Sequence, residues 1–351
     1  MRLGLMLGYW NPDGPDGNFA LAEEADRLGY DSCWVSEAYG ADAVSVLGYL
    51  AARTERIGLG AAVLQIPARA PAMTAMTAAT LDRLSEGRFR LGLGVSGPQV
   101  SEGWYGVRFD RPLARTREYV DVVRAVLRRE RLAYEGEHIR LPLPDGPGKA
   151  LRLAMRPLRA DLPIYLAAVG PRNLELAGEI ADGWLGVFVS PEHAGESLRH
   201  LRAGRERAAR TDAPFDAVAA VPVVIGDDVA ACAEPVRAYT ALYLGGMGSR
   251  KQNFYNDLAV RMGYAEEAAR VRDLYLEKRY RDAAAAVPLE FVDRTALIGP
   301  PERVADRFAA YADAGLTTLA VLPLGPTPEE SLRTVRVMAE IATDRGRTPK
   351  G

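Results

Sequence analysis

The chain is poor in the residues that build disulfides and metal sites. Only two of its 351 residues are cysteines, and Cys33 and Cys232 lie far apart and form no CxxC pair. Cys33 stands in the apolar run YDSCWVSE, so we expect a small buried hydrophobic residue there. The three histidines, His138, His193 and His200, show no metal-ligand spacing. The sequence therefore predicts a protein without disulfides and without a metal site.

Long apolar runs and an excess of one charge are also missing. No run approaches the about 18 apolar residues that span a membrane, and the start, MRLGLMLGYWNPDG, is too short in its apolar part for a signal peptide. The net charge is −2, and only four lysines stand among the 44 basic residues. Nothing indicates a nucleic-acid or membrane partner. We expect a cytoplasmic protein with a small-molecule substrate.

What the chain does have is a regular alternation of strand and helix patterns. Near-continuously apolar strands separated by amphipathic helices are typical of a parallel sheet covered by helices. Eight strands are predicted, at 2–9, 30–37, 56–64, 88–95, 163–169, 183–189, 218–226 and 317–325. This number fits an α/β fold of the (β/α)8 TIM-type barrel, with an open doubly wound sheet as the alternative. No GxGxxG turn follows the first strand, which favours the barrel.

Two stretches exceed a minimal barrel. Residues near 132–160 contain a predicted hairpin and a Pro/Gly-rich loop, and residues near 235–290 contain predicted helices. We therefore expect one domain over 1–351 with insertions after strands 4 and 7, either of which is placed to form a lid. The second insertion carries four aromatic residues that either line a substrate pocket or form the insertion's own core: Tyr239, Tyr243, Phe254 and Tyr255.

The predicted strand ends are rich in small residues. In such barrels the chemistry lies where the strands end, and here those ends carry Glu37, AAVLQ at 61–65, GVSGP at 94–98 and AVGP at 168–171. They lack the Ser-His-Asp set and the paired carboxylates of hydrolases. A groove of exposed backbone suits a flat, phosphate-bearing organic cofactor that supplies the chemistry itself.

The fifth strand end, PIYLAAVGPRN, has two explanations. Glycine ends a strand and proline is welcome at the first position of a helix, so Gly170 and Pro171 are explained as punctuation. Alternatively, the free backbone N–H groups of a helix start and the cation of Arg172 bind an anion such as phosphate.

Longer strings carry a family resemblance. The segments LGAAVLQIPARAPAMTAMTAATLDRLSEGRFRLGLGVSGPQVSEGWYG (59–106) and YLAAVGPRNLELAGEIADGW (165–184) resemble the luciferase-like superfamily. Within it they resemble the coenzyme F420-dependent branch that includes methylenetetrahydromethanopterin reductase. The likeness implies a homo-oligomeric oxidoreductase that moves a hydride between F420 and an organic substrate. An FMN-dependent monooxygenase and a non-catalytic relative are the alternatives.

The resemblance also implies roles for single residues. Ala62 and Val63 would flank a non-prolyl cis peptide that backs the deazaflavin ring, with an ordinary trans strand end as the alternative. Gln65 would reach the polar edge of the ring. Glu37 would be a nearby proton donor or acceptor, unless it is a solvated loop carboxylate. The remaining implied contacts are the backbone of Val95, Ser96 and Gly97 under the cofactor, and a phosphate-binding segment of Ala168, Val169, Gly170, Pro171, Arg172 and Asn173.

One departure from the family pattern concerns the sugar-phosphate dehydrogenase branch. That branch has an acid–histidine pair after the second strand, where this chain has Glu37-Ala38. Oxidation of glucose 6-phosphate is therefore not expected.

Overall fold

Eight parallel strands close a barrel in the computed structural model, which describes residues 1–10, 17–250 and 252–347. The last strand pairs with the first, with Leu319 opposite Leu3, which closes the sheet. This closure confirms the predicted TIM-type barrel and excludes the open doubly wound sheet. The barrel strands are β1 Arg2–Leu7, β2 Ser32–Val35, β3 Gly58–Ala61, β4 Phe89–Gly94, β5 Ile164–Ala167, β6 Gly183–Val187, β7 Asp216–Ile225 and β8 Thr318–Pro323.

An outer layer of helices covers the strands. Most begin with proline, whose missing N–H costs nothing in the first turn of a helix, and α2 is capped by the Asp42 side chain, which accepts from Ser45 N. Their apolar faces pack on the strands in one continuous cluster. The barrel helices are α1 Asn18–Leu28, α2 Ala43–Arg53, α3 Pro71–Leu84, α4 Pro112–Leu127, α5 Pro171–Ile180, α6 Pro191–Arg207, α7 Pro301–Asp313 and α8 Pro328–Arg347.

The barrel interior is filled by its own side chains. Trp34 and Tyr165 meet with ring centroids 5.0 Å apart, and Met6, Leu185, Val218, Ala320 and Leu322 complete this inner cluster. Because the interior is packed, a ligand can bind only above it, at the strand ends.

The third strand does not run unbroken through 56–64 as predicted. It stops at Ala61, and the chain continues through a cis peptide bond between Ala62 and Val63. A two-residue strand, Leu64–Gln65, then pairs with β4, Leu64 opposite Leu93. A 3-10 turn over Ile66–Ala68 leads into α3. The third strand end is therefore a bulge that projects at the barrel mouth.

The first insertion, between α4 and β5, holds the predicted hairpin, built from the short strands Tyr134–Glu135 and Arg140–Leu141. The second follows β7 and begins earlier than predicted, at Val229. It consists of Val229–Ala241, a π-helical turn at Leu242–Gly246, Phe254–Arg261, Ala265–Leu276, Tyr280–Ala285 and Leu289–Thr295.

Two short elements have no counterpart in the prediction. The strand Leu297–Gly299 pairs with β7 on its far end, and the helix Pro98–Gly103 follows β4. Across the part of the chain that the structure describes, no helix is long and apolar enough to cross a membrane.

Candidate active site

A charged network ties together the ends of β2 and β3. Both Glu37 oxygens accept from the Arg69 guanidinium, at 2.6 and 2.8 Å. The same carboxylate accepts from the backbone N of Ala43, at the start of α2, at 3.1 Å. Arg69 also donates to Asp42 at 2.7 Å. The Glu37 side chain is 4% exposed, so it is an anchored residue and not a solvated loop carboxylate.

Two groups of this network, Arg69 and Asp42, have pKa values shifted in the direction that favours their charged forms. Burial lowers the pKa of the Arg69 guanidinium, but the hydrogen bond and the charge of Glu37 raise it by more. Burial raises the pKa of Asp42, but hydrogen bonds from Ser45 and the charge of Arg69 lower it by more. Arg69 and Asp42 are therefore both charged at neutral pH.

The Gln65 side chain is bound to protein partners. Its Nε2 donates to the carbonyl of Ala38 at 3.0 Å and to Tyr105 Oη at 3.1 Å, and its Oε1 accepts from Ser96 Oγ at 2.6 Å. Ser96 has a φ of 61°, which turns the chain sharply after β4. Gln65 is 4% exposed, so the structure places its amide within the frame that joins the ends of β3 and β4.

A seat of small apolar residues lies inside this frame. Ala62, Val63, Ala167 and Ala220 are half-buried and pack on the inner cluster of the barrel. The bulge sits so closely on β4 that a Cβ added at Gly94 would lie 2.5 Å from Val63 Cγ2. The bulge therefore has a fixed height above the barrel interior, and a flat ring is the shape that such a seat accepts.

The first turn of α5 is open to an anion. Gly170 is its N-cap and has no side chain that could accept from the first N–H groups. Arg172 is exposed and forms no ion pair with the described residues. Asn173 donates from Nδ2 to the carbonyl of Ala167 at 3.4 Å. Helix N-termini of this kind bind phosphate through free N–H groups and the helix dipole.

The neighbouring helix start, that of α6, is closed. Ser190 Oγ accepts from the backbone N of His193 at 3.3 Å. A small cavity of about 40 Å³ separates the two starts and is lined by Val169, Pro171, Ser190 and His193. Ala168, in contrast, is 2% exposed. Its carbonyl accepts from Trp184 Nε1 at 2.9 Å, so Ala168 lies behind the segment that a ligand would touch.

Aromatic residues of the second insertion lie over the other half of the mouth. Tyr243 contacts Tyr239 and Tyr255 at ring centroid distances of 4.8 and 4.9 Å, and Phe188 packs 5.4 Å from Tyr243. Phe254 is not part of this cluster, because its ring faces Phe109 instead. Tyr239 also packs against the inner cluster of the barrel. The aromatic cluster is thus the core of the insertion, and among its tyrosines Tyr239 is the one that also reaches the barrel interior.

A second cavity, of about 320 Å³, lies outside the barrel mouth between the starts of α3 and α4 and the hairpin. Its walls are mostly apolar and include Val95 and Arg69. Arg69 belongs to the frame, whereas none of the four seat residues lines this cavity, so the cavity adjoins the frame.

Several residues at the site were not predicted from the sequence, and Asp42, Tyr105, Ala167 and Ala220 are among them. So are Arg69, Tyr9 and Arg261, whose Nη2 donates to the carbonyl of Val169 at 3.1 Å. The string IPARAP, which puts an arginine between two prolines, is the one signal that marks Arg69 as fixed. Tyr9 was assigned to the end of the first strand, and nothing in the sequence pairs Arg261 with Val169.

Comparison with known proteins adds the family. Residues 1–318 match the luciferase-like monooxygenase family. A Mycobacterium tuberculosis protein named as a coenzyme F420-dependent oxidoreductase is 45% identical over 328 residues, 92% of this chain and 94% of that protein. The 5,10-methylenetetrahydromethanopterin reductase of Archaeoglobus fulgidus is 27% identical over 318 residues, 89% of this chain and 91% of that enzyme.

A solved structure confirms the architecture. The coenzyme F420-dependent tetrahydromethanopterin reductase of Methanopyrus kandleri superposes with a TM-score of 0.82 at 24% identity, covering 98% of this chain and 99% of that one. At this identity the likeness concerns the fold. The predicted family and the predicted barrel are both confirmed.

Proposed function

Because the chain belongs to the luciferase-like monooxygenase family, we propose that it is a coenzyme F420-dependent oxidoreductase acting on a small organic molecule. The Mycobacterium tuberculosis relative, which is named for F420 chemistry, supports this proposal over 92% of the chain. The observation in this structure that carries it is a seat of small apolar residues beside an uncapped helix start. Those two features match the two parts of the cofactor, a planar ring and a phosphate.

The residues fit such a cofactor in a definite way. Ala62 and Val63 would support the ring from below, and the backbone of Val95, Ser96 and Gly97 would pass beneath it. The backbone of Val169, Gly170 and the first turn of α5, with Arg172, would hold the phosphate. When bound, F420 supplies hydride transfer at its ring, which needs position and orientation more than an ionisable nucleophile.

Glu37 and Gln65 hold the frame under this proposal. Each has its polar atoms engaged by protein donors and acceptors, so neither is free to exchange a proton with a substrate. We therefore assign Glu37 as a positioning residue that fixes Arg69 and the start of α2. The earlier assignment as proton donor is the alternative that the Glu37→Gln variant described below would test.

A pair of titrations tests the cofactor assignment. The purified protein is titrated with oxidised F420 and with FMN, and ring fluorescence reports binding. Micromolar binding of F420 with much weaker binding of FMN is expected. Arg172→Glu should weaken F420 about tenfold, since a charge near a helix N-terminus is worth about 1 kcal/mol. The control Arg199→Glu reverses a charge on α6 and should leave the affinity unchanged. Tighter binding of FMN than of F420 would assign the chain to FMN-dependent monooxygenases. If the protein bound neither cofactor, the interpretation as a non-catalytic relative would remain.

Self-association, location and domain organisation are proposals of the same kind. One face of α3 exposes Met73, Met76 and Leu84, between 47% and 57% of each, and this stripe supports a homo-oligomer. Light scattering should show a dimer or a larger oligomer that Met76→Glu dissociates.

Two free buried cysteines support a cytoplasmic location. The single domain over 1–351 stays a prediction, supported by a cluster that extends from Leu3 to Ile341. Residues 11–16, 251 and 348–351 of that range lie outside the described part.

A further inference from the structure

Three tyrosine hydroxyls form a chain across the barrel mouth. Tyr9 Oη and Tyr243 Oη are 3.3 Å apart, and the Tyr239 ring continues the row at a centroid distance of 4.8 Å from the Tyr243 ring. Tyr9, just after β1, is 39% exposed. Tyr239, at the other end, packs on the inner cluster of the barrel, against which Ala62 and Val63 also pack. The chain therefore runs from the exposed Tyr9 to the inner cluster that supports the seat.

The fold holds these hydroxyls in a defined order. Tyr239 and Tyr243 stand one turn apart where the helix Val229–Ala241 passes into the π-helical turn, a feature frequent at functional sites. Tyr275 presses on the turn so closely that a Cβ at Gly245 would lie 2.3 Å from Tyr275 Cβ. Phe188, with a φ of 51°, wedges against the Tyr243 ring. A bulky residue in the left-handed region persists only where its surroundings enforce it.

The surroundings of the chain keep all three phenols protonated. Burial raises the pKa of Tyr243, and the neighbouring Tyr239 and Tyr255 raise it further. Burial also raises the pKa of Tyr239. Partial burial and the neighbouring Tyr243 raise the pKa of Tyr9 as well. Such groups donate hydrogen bonds and pass a proton on in one concerted movement, without building up a phenolate.

We propose that Tyr239 protonates the substrate and that Tyr243 and Tyr9 relay the replacement proton from water. The substrate class is then a compound with a C=O or C=N bond. As hydride reaches the carbon, the electron pair of the double bond moves to the heteroatom, which takes the Tyr239 proton. Tyr239 takes a proton from Tyr243, Tyr243 from Tyr9, and Tyr9 from water. The substrate gains one hydride and one proton, and the reverse sequence oxidises an alcohol or amine. This inference rests on the proposed function.

Three Phe substitutions with one matched control test the relay. Tyr239→Phe and Tyr243→Phe each remove one hydroxyl of the chain and keep the ring, while Tyr9→Phe removes the end that water can replace. Tyr255→Phe is the control, because its ring packs 4.9 Å from Tyr243 and burial alone raises its pKa, to about 12. The probes are cyclohexanone, benzaldehyde and 1-pyrroline with reduced F420, in single turnover, in H2O and D2O. F420 affinity by fluorescence is measured for every variant.

The relay predicts a specific pattern. Tyr239→Phe and Tyr243→Phe should slow reduction about 100-fold, the lower range for a general acid, and Tyr9→Phe less. The F420 affinity of these variants should stay within about twofold, Tyr255→Phe should match the wild type, and D2O should slow the wild type.

Three results would overturn the relay. Unchanged turnover in Tyr243→Phe is one, and an equal loss in Tyr255→Phe, which marks a packing effect, is another. The third is a wild type that binds F420 and reduces none of the probes, which removes the substrate class. Failure of the wild type to bind F420 is a separate outcome that overturns the proposed function itself.

Discussion

The two halves of the barrel mouth are built from different chemistry. At the ends of β2, β3 and β4, charged and amide side chains bind one another in short hydrogen bonds. Across the mouth, under the second insertion, the polar groups are phenols stacked on aromatic rings. The first half holds ionised groups that are fully engaged, and the second holds neutral groups with hydroxyls to offer.

This difference separates residues that hold a site from residues that use it. A buried charge that is already paired gains nothing from a ligand and loses much if its partner is removed. A neutral donor or an uncapped helix start retains bonding capacity, which a substrate or a phosphate can satisfy. Proximity to the mouth therefore does not identify a catalytic group. In this barrel the most polar residues at the rim belong to the frame.

The largest effect is expected from breaking the charged half. Glu37→Gln leaves the Arg69 guanidinium, 17% exposed, without its bidentate partner, and removing one member of a buried pair costs about 3–5 kcal/mol. Unfolding in urea should show this loss. Asp42→Asn, at the 48% exposed end of the same network, should cost no more than about 1 kcal/mol.

The same variant separates positioning from proton transfer at Glu37. A positioning residue should lose stability and F420 affinity together. If Glu37→Gln instead abolished turnover at unchanged stability and affinity, the carboxylate would be the proton donor and the division of the mouth would be wrong.

The next effect concerns the seat itself. Gly94→Ala puts a Cβ only 2.5 Å from Val63 Cγ2, and overpacking of this kind costs about 1–3 kcal/mol. F420 affinity should fall because the added Cβ pushes Val63, and with it the bulge, away from β4. The double variant Gly94→Ala/Val63→Ala should recover much of the stability. Gly97→Ala, where the nearest atom is 3.7 Å away, is the control and should not destabilise the fold.

The sequence predicts the strands of the barrel better than the side-chain contacts between them. The eight strands were found because buried parallel strands are continuous apolar runs, whereas Leu297–Gly299 is too short to stand out. Glu37 was correctly placed near the mouth, but its partner lies 32 residues away. One sequence carries no signal for such a contact. The carboxylate was therefore interpreted as a free acid–base group when the structure shows it bound.

The phosphate segment shows the opposite case. Gly170 and Pro171 could be recognised as a helix start from local rules alone, and α5 begins at Pro171 as expected. The phenol chain could not be found in this way. Its members come from the segment just after β1 and from the second insertion, with a separation of 234 positions between Tyr9 and Tyr243 in the sequence, and only the closed barrel brings them together.

A smaller effect compares the two neighbouring helix starts. Gly170→Ser places an accepting hydroxyl at the open start of α5, where an added Cβ meets nothing within 4 Å. The cap should stabilise the fold by a few tenths of a kcal/mol (about 0.3). It should weaken F420 several-fold, because the serine occupies the N–H groups that the phosphate needs. Ser190→Ala, which uncaps α6, should cost about 1 kcal/mol and leave F420 affinity unchanged. If the wild type and Gly170→Ser bound F420 with equal affinity, the start of α5 would not be the phosphate site.

The smallest expected effect is a difference in how the two halves respond to pH. Asp42 has a lowered pKa, so its contribution is present above the unfolded value and is lost as pH falls through the folded one. Tyr255 has a pKa raised to about 12 by burial. Its contribution is complete below the ordinary phenol value of about 10 and is lost as pH rises toward 12. Tyr255→Phe should therefore flatten the alkaline fall of the unfolding free energy and leave the acid side unchanged, while Asp42→Asn should do the reverse. Urea unfolding of both variants at about pH 3, 7 and 11, roughly one unit beyond the ordinary pKa values of aspartate and tyrosine, measures this. If both variants changed the pH dependence of the unfolding free energy on the same side of neutrality, Asp42 would not account for the acid loss of stability separately from the alkaline loss that we assign to Tyr255.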